Sequence, residues 1–269
     1  MPAQLTVLGA GSILPRAGYG CAGYALRPAK GARVTLFDCG PGSIRTLGAA
    51  RIDLNEIERV VISHFHADHC LDLFLLAFAR NHPDLAPLPP LELVGPVGLA
   101  ELLAKASKPP GRWVKNPSWT VTEVALDERG RARLERDRCV LSCVANGHTP
   151  EALSWRIDLS SGESLAYTGD TIPNEAVSEL ARDVDLFVVE CSHPDEHAVQ
   201  GHLTPTSAAT LARDARCRRL LLTHFYPDIE PEDARRAASR TFAGEILLAR
   251  DGARFEIGRS ETQPQERRG

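Results

Sequence analysis

The chain has 269 residues, of which 43% are hydrophobic, and 31 Lys and Arg against 35 Asp and Glu give a formal net charge of −4. This length suits one large globular domain or two small ones, and the acidic balance excludes binding of a polyanion through the field of the whole protein. Seven cysteines without a Cys-x-x-Cys pair predict free, mostly buried thiols. No signal peptide is evident and no apolar run approaches the roughly 18 residues that span a bilayer, so we expect a cytoplasmic protein with no membrane partner.

Short apolar strands alternate with helical segments along the chain. Residues 5–8 and 23–26 predict an opening hairpin, and strand patterns recur at 33–37, 60–62, 139–144, 164–168, 186–189 and 219–223. Helical patterns lie between them at 71–80, 97–106, 173–182, 204–214 and from 231 onward. Loops are predicted at 81–90 and 107–119. The polar tail at 259–269 is predicted to be disordered, which leaves residues 1–258 as a single domain.

The predicted strands share one feature, since each ends near a residue able to bind a metal or move a proton. These residues are Asp38, His64, His148, Asp170, Glu190 and His224. Strands packed side by side place their ends along one edge of a sheet. The six residues can therefore converge on one cleft although they are far apart in sequence.

The run Ser-His-Phe-His-Ala-Asp-His at 63–69 follows a β-branched strand and is typical of a metal site. His64 and His66 point to the same side of an extended segment, whereas Asp68 and His69 can face a second point nearby. One loop can thus serve two metals, and its imidazole and carboxylate ligands suit zinc, with manganese or iron as alternatives. Two metals need further ligands. The natural additions are His148, Asp170 as a bridging carboxylate, and His224.

Such a pair of metals predicts hydrolysis. Two ions can lower the pKa of a water that bridges them and clamp a phosphoryl oxygen, so that a bridging hydroxide attacks in line. Asp68 can accept or orient the proton of that water. His202 is the candidate donor to the leaving oxygen, and Glu190 can hold its imidazole in one tautomer.

Other residues near the predicted cleft have less specific patterns. Asp38 is expected to have a structural role, with its carboxylate accepting backbone N–H groups of the site loops. His193 and His197 follow Glu190 closely and either line the cleft or belong to a solvated loop. Basic and aromatic residues interleave at 105–119, a pattern that would grip a phosphate and stack a base, or that belongs to an exposed loop with a tryptophan packed on the core.

The sequence resembles the metallo-β-lactamase-fold superfamily, and within it the ribonuclease Z-like phosphodiesterase branch. The resemblance runs from residue 5 to about 258, and the motifs occur in the family's order: LFDCGPG at 36–42, HFHADH at 64–69, His148, TGDT at 168–171, Gly-His at 201–202 and Thr-His at 223–224. It implies a mixed α/β (α+β) fold, a four-layer αββα sandwich of two mixed β-sheets with helices on both outer faces.

The resemblance also implies a ligand assignment. One zinc would be held by His64, His66 and His148, the other by Asp68, His69 and His224, with Asp170 bridging. It supports the pairing of Glu190 with His202, although Leu203 stands where the family has a serine. Family members of this kind are often dimers, so a homodimer is expected by resemblance.

Several substrate classes are compatible with these residues. The first is a phosphodiester, either RNA at tRNA 3′ ends or a small or cyclic nucleotide. In many ribonuclease Z enzymes a long arm that grips tRNA lies between the motifs that correspond to His148 and Asp170. Here these residues are 22 apart, which leaves room for a strand pair and a turn and favours a small diester. The alternative is another bond class on the same fold, namely a lactone, a thioester or a sulfate ester. A non-catalytic metal-binding module is disfavoured, because a full ligand set and a proton donor are present.

Overall fold

The first of two β-sheets is built mainly from the N-terminal half of the chain. The structure is a computed structural model that describes residues 2–83, 85, 88–108 and 119–258. The strand order of this sheet is β14-β1-β2-β3-β4-β5-β6, with antiparallel pairing from β14 to β3 and parallel pairing from β3 to β6. Its strands are β1 (Gln4–Gly9), β2 (Gly23–Arg27), β3 (Val34–Cys39), β4 (Ile57–Val61), β5 (Leu91–Pro96), β6 (Trp119–Val124) and β14 (Arg254–Glu256).

The second sheet repeats this plan with the remaining strands. Its order is β13-β12-β11-β10-β9-β8-β7, antiparallel from β7 to β10 and parallel from β10 to β13. The strands are β7 (Arg131–Arg136), β8 (Cys139–Ala145), β9 (Leu153–Leu159), β10 (Ser164–Tyr167), β11 (Leu186–Glu190), β12 (Arg219–Thr223) and β13 (Glu245–Leu248). Strands β9 and β10 form an antiparallel pair joined by a short turn, which confirms the strand pair predicted between His148 and Asp170.

In the ranges that the structure describes, seven α-helices cover the outer faces of the two sheets. They are α1 (Ser43–Ala50), α2 (Ala67–Cys70), α3 (Asp72–Arg80), α4 (Leu99–Ala106), α5 (Glu175–Leu180), α6 (Pro205–Ala215) and α7 (Pro231–Ala238). Thr204 caps α6 as predicted, since Ser207 Oγ accepts the Thr204 N–H in a capping box. None of the helices in the described ranges combines the length and the apolar composition needed to cross a lipid bilayer.

Alternation along the strands creates three hydrophobic layers. In β3, Leu36 packs against α1 and α3, while the next residue, Phe37, faces the other sheet. In β11, Val188 faces the other sheet and Val189 packs against the helices of the second sheet. Because successive side chains point to opposite faces, strands buried on both sides need continuous apolar runs. The layers confirm the αββα sandwich.

The central layer is also fastened by hydrogen bonds from one sheet to the other. Trp155 of β9 is fully buried, and its indole N–H donates to the carbonyl of Ile62 at 3.0 Å. The backbone N–H of Leu153 donates to the carbonyl of Ser63 at 2.9 Å. Both bonds hold the loop that follows β4 against the second sheet. The seven cysteines are free, and only Cys21 among them is not buried.

Candidate metal centre and active site

The carboxyl ends of parallel strands from both sheets meet at one edge of the sandwich. The loop and short helix α2 after β4 supply four side chains, and the segments after β8, β10 and β12 supply one each. The structure brings all seven predicted ligand residues together in two neighbouring groups. They are His64, His66, Asp68, His69, His148, Asp170 and His224. A third group of equally close ligand atoms joins Asp170 and His224 to His202.

The first group consists of three imidazoles around one oxygen of Asp170. His148 Nε2 is 3.2 Å from His66 Nδ1. Asp170 Oδ2 is 3.9 Å from His64 Nε2 and 3.8 Å from His148 Nε2. All four ligand atoms lie within 4.8 Å of one another, which is the spacing of donor atoms around a single ion of zinc size.

The second group lies on the other side of Asp170. His69 Nε2 and His224 Nε2 are 3.3 Å apart, and Asp68 Oδ2 is 3.6 Å from His224 Nε2. Asp170 Oδ1 is 3.2 Å from His69 Nε2 and 3.4 Å from His224 Nε2. The two oxygens of Asp170 therefore face different groups.

Asp38, at the end of β3, fixes the imidazoles that the first sheet contributes. Its carboxylate accepts the Ser63 backbone N–H at 2.7 Å, which confirms the predicted structural role. It also accepts the Ser63 hydroxyl at 2.7 Å, His69 Nδ1–H at 2.7 Å and the Tyr167 hydroxyl at 2.6 Å. The Ser63 oxygen in turn accepts from His64 Nδ1 at 3.0 Å. With Nδ1 of His64 and His69 held in this way, each Nε2 faces the site and can bind a metal when it carries no proton.

The imidazoles of the second sheet are held in the same way. His148 Nδ1 donates to the carbonyl of Gly201 at 2.8 Å. His224 Nδ1 is 3.0 Å from Ser192 Oγ, whose hydroxyl donates to Glu190. An imidazole fixed at one nitrogen and directed by the other into a shared space is the arrangement of a metal ligand.

Two buried atoms of the site have no hydrogen-bond partner among the described residues. They are His64 Nε2 and Asp170 Oδ1. Leaving a buried polar atom unsatisfied costs about 1–3 kcal/mol, so the fold retains an arrangement that its own side chains do not complete. A divalent cation would satisfy both atoms, and the imidazole and carboxylate donors fit such an ion. The site is thus equipped to bind metal.

The protonation states suit metal binding at every ligand with a resolved pKa shift except His69. Burial lowers the pKa of His69, but the carboxylates of Asp170 and Asp38 outweigh burial and raise that pKa well above its usual value. Burial would raise the pKa of Asp68, but its hydrogen bond with His224 and the charge of His69 outweigh burial and lower that pKa to about 2. The pKa of Asp170 is lowered for the same reason. Burial would raise it, but His224 and His69 outweigh burial and hold it well below the usual range. Burial and the neighbouring His69 hold the pKa of His64 well below its usual value. Ionised carboxylates and a neutral imidazole are the forms that coordinate metal.

Glu190 and His202 lie side by side at the edge of the second group. Glu190 is buried and its oxygens are 3.2 and 3.3 Å from His202 Nδ1, while Oε1 also accepts the Thr171 backbone N–H at 2.7 Å. Burial lowers the pKa of His202, but the bond to Glu190 outweighs that effect and the net shift is upward. His202 Nδ1 is 3.9 Å from Asp170 Oδ2. The neighbouring Leu203 is fully buried in the outer hydrophobic layer of the second sheet.

Two of the site residues have strained backbones. Asp38 has φ of 56° and His224 has φ of 58°, in the left-handed region that residues with a Cβ seldom adopt. Asp38 is the penultimate residue of β3, and His224 is the first residue after β12. Strain of this kind is retained where the surrounding structure fixes it, and it concentrates at functional sites.

Sequence reasoning missed the residues that orient the ligands. Ser63 precedes His64, Tyr167 ends β10 three residues before Asp170, and Ser192 follows Glu190 by two positions. Their adjacency to predicted site residues was the only signal available. A hydroxyl beside a metal-binding residue is too common to identify without knowing where its oxygen points.

The less specific predictions have mixed outcomes. The ring of His193 lies 6.0 Å from that of His202, whereas His197 is exposed. Lys105 pairs with Glu101 on α4 at 2.6 Å. Most of the predicted basic and aromatic loop, including residues 112, 113 and 115, lies outside the described residues, as does the tail at 259–269.

Comparison with known proteins agrees with this architecture. The family model described as a β-lactamase superfamily domain matches residues 33–225. The crystal structure of the metallo-β-lactamase-fold protein YhfI from Bacillus subtilis matches with a TM-score of 0.83 and 23% identity, over 95% of this chain and 100% of that one. The chain belongs to the metallo-β-lactamase-fold superfamily.

Sequence relatives narrow the assignment. Ribonuclease Z of Streptomyces coelicolor is 30% identical over 305 residues, which cover 94% of this chain and 97% of that protein. An uncharacterized protein of Mycobacterium tuberculosis is 34% identical over 261 residues, covering 96% of this chain and 93% of its own length. Since the likeness to ribonuclease Z spans nearly the whole of both chains, the protein falls in the ribonuclease Z-like branch, whose named enzymes support a hydrolase of phosphoester bonds.

Proposed function

We propose that this protein is a phosphodiesterase of the ribonuclease Z type that works with two divalent ions, of which zinc fits best. The observation that carries the proposal is the position of Asp170, whose two oxygens face two separate imidazole groups at 3.2–3.9 Å. A carboxylate in that position can bridge two ions. His64, His66 and His148 would hold one ion, and Asp68, His69 and His224 the other.

The ligand chemistry supports zinc without requiring it. Five imidazoles and two carboxylates form a mixed nitrogen and oxygen set, and the free cysteines take no part in either group. Such a set suits zinc and also accommodates manganese or iron. The ions would be held from both sheets, since the loop after β4 and the segments after β8, β10 and β12 all contribute.

The chain's own residues divide the remaining work. When bound, the ions would lower the pKa of a water and neutralise charge on the phosphoryl oxygens. Asp68, ionised at neutral pH, can accept or orient a proton of that water. His202 would donate a proton to the leaving oxygen, with Glu190 holding its Nδ1 so that Nε2 is directed to substrate.

The substrate that we propose is a small nucleotide diester. Only the turn at 160–163 connects β9 and β10, so the segment between His148 and Asp170 has no extension with which to grip a large RNA. The net charge of −4 also gives no general attraction to a polyanion. Precursor tRNA stays an alternative substrate of the same chemistry.

The proposal is tested by metal analysis combined with a substrate panel. We expect close to two ions per chain by mass spectrometry of the metals, and hydrolysis of bis-p-nitrophenyl phosphate and of a cyclic or linear dinucleotide. Precursor tRNA, a lactone, a sulfate ester and a glutathione thioester complete the panel. Chelation should abolish activity, and zinc should restore it.

The outcomes separate the parts of the proposal. Hydrolysis of the lactone, sulfate ester or thioester with no reaction of any phosphodiester would overturn the bond class. Cleavage of precursor tRNA with a higher kcat/KM than the small diesters would overturn only the substrate size. One ion per chain at full activity would overturn the two-metal arrangement.

A further inference from the structure

His193 lies beside the candidate active site but belongs to neither ligand group. It follows Ser192 in the loop after β11, and its ring centroid is 4.4 Å from that of Tyr226 and 6.0 Å from that of His202. Its side chain is 13% exposed. The ring is thus largely enclosed by the loops of the site without being cut off from solvent.

One nitrogen of His193 is fixed. Its Nδ1 lies 3.0 and 3.2 Å from the two carboxylate oxygens of Asp228, to which it donates. Its Nε2 has no hydrogen bond to any residue in the described part of the chain. With Nδ1–H given to Asp228, a neutral imidazole presents the Nε2 lone pair as an acceptor.

This pair repeats the arrangement of Glu190 and His202 on the same side of the site. The side chain of Asp228 is 43% exposed, and an ion pair or hydrogen bond at that exposure contributes little to stability. Stability therefore gives a weak reason to place an oriented imidazole here. The loop's next histidine, His197, is exposed and serves as a comparison.

The imidazoles form a row that begins at the first ligand group. The ring of His202 is 5.0 Å from that of His148 and 6.0 Å from that of His193. If His202 donates a proton to the leaving oxygen, then His193, which lies next to His202, is close to the part of the leaving alcohol beyond that oxygen. An acceptor nitrogen at that position suits a hydroxyl group that can donate.

We propose that His193 is a substrate-contacting residue that accepts a hydrogen bond from a hydroxyl adjacent to the leaving oxygen. This inference rests on the proposed function. It narrows the substrate class to phosphodiesters whose leaving alcohol is a polyol. An example is ribose that departs through its 3′-oxygen, because its vicinal 2′-hydroxyl would then donate to His193. A p-nitrophenolate leaving group has no such hydroxyl, and a 2′-deoxyribose leaving group has lost it.

The test compares His193→Phe, which keeps a ring beside Tyr226 but has no acceptor, with the wild type on three substrates. These are a 3′,5′-linked ribodinucleotide, its 2′-deoxy counterpart and bis-p-nitrophenyl phosphate. We expect kcat/KM for the ribodinucleotide to fall about tenfold or more, since one buried hydrogen bond to substrate is lost. The kcat/KM values for the deoxy substrate and for bis-p-nitrophenyl phosphate should change little. The preference for ribose, which is the ratio of kcat/KM for the ribodinucleotide to that for its deoxy counterpart, should therefore be lost.

Two further variants complete the design. Asp228→Asn, which weakens the hold on Nδ1, should lower the ribose preference by a smaller factor. His197→Phe should leave the rates on all three substrates at the wild-type level. Melting temperature and metal content are measured for each variant. An equal loss on all three substrates, a loss of metal, or an unchanged ribose preference in His193→Phe would overturn the inference. A wild type that is inactive on every phosphodiester would instead overturn the proposed function.

Discussion

Two regions of the molecule enclose charged side chains, and they differ in how completely those charges are paired. At the amino-terminal end of β5, Glu92 binds Arg59 at 2.7 Å and Arg136 at 2.5 Å, and it also accepts the Thr122 hydroxyl at 3.1 Å. At the opposite end of the sandwich, His64 Nε2 and Asp170 Oδ1 are buried and unsatisfied. The first cluster is completed by the chain itself, whereas the second requires something from outside it.

The contrast separates stability from function. A buried charge that loses its partner is costly, so a self-satisfied cluster such as that of Glu92 keeps the two sheets together once formed. Unsatisfied buried atoms lower the stability of the folded chain, and selection retains such atoms only where they serve activity. Substitutions in the two regions should therefore move different measurements.

The largest effect on activity is expected for Asp170→Asn. Replacing an outer partner of a metal ligand typically lowers activity by roughly 10- to 100-fold. Losing the shared carboxylate itself should lower phosphodiester hydrolysis by more than that. Metal content should fall with it. Unchanged hydrolysis and metal content would show that Asp170 is a structural residue like Glu92.

The next largest effect is expected for His202→Ala. As a proton donor it should contribute roughly 10²- to 10⁴-fold to turnover of a substrate with a poor leaving group. The loss should be smaller for p-nitrophenyl esters, whose leaving group departs without a proton. Metal content should stay near the wild-type level, and His197→Ala is the matched control. Unchanged turnover on the poor leaving group would remove His202 from the mechanism.

The smallest effect on activity, and a measurable effect on stability, are expected for Glu92→Gln. Burial would raise the pKa of Glu92, but Arg136 and Arg59 outweigh it and lower that pKa from 4.5 to about 2. The stabilisation is therefore complete above about pH 4.5 and is lost as the pH falls toward 2. At pH 7 we expect a loss of about 1–3 kcal/mol in urea unfolding, with wild-type kcat/KM. A deficit that persists unchanged at pH 3 would contradict the charge-based explanation.

Much of the fold could be predicted from the sequence, because the signals for many of its strands and helices are local. Apolar runs such as that of β11 and caps such as Thr204 are properties of neighbouring residues, and strand ends such as Asp170 identified the site edge. Strands β5, β6, β7, β13 and β14 and helix α1 were not predicted. β6 and β7 lie at the edges of the sheets, where alternating polar residues such as those of Arg131–Arg136 replace apolar runs.

The fine structure of the site could not be obtained in the same way. The bond between Tyr167 and Asp38 joins residues 129 positions apart, and it depends on the packing of two sheets to within fractions of an ångström. The same holds for Ser192, whose hydroxyl links Glu190 to His224. Such contacts are consequences of the assembled sandwich, so residue type and spacing give no hint of them.

The origin of the ligands in both sheets has a consequence for how the protein matures. His64, His66, Asp68 and His69 come from the first sheet, whereas His148, Asp170 and His224 come from the second. A chain in which only one sheet has formed offers at most four of the seven ligands, so tight metal binding requires that the two sheets have docked. Binding of the metal ions would then indicate that the two sheets have docked. Because an ion that binds only the folded chain stabilises it by mass action, metal supply would govern how long the protein survives as well as how fast it works.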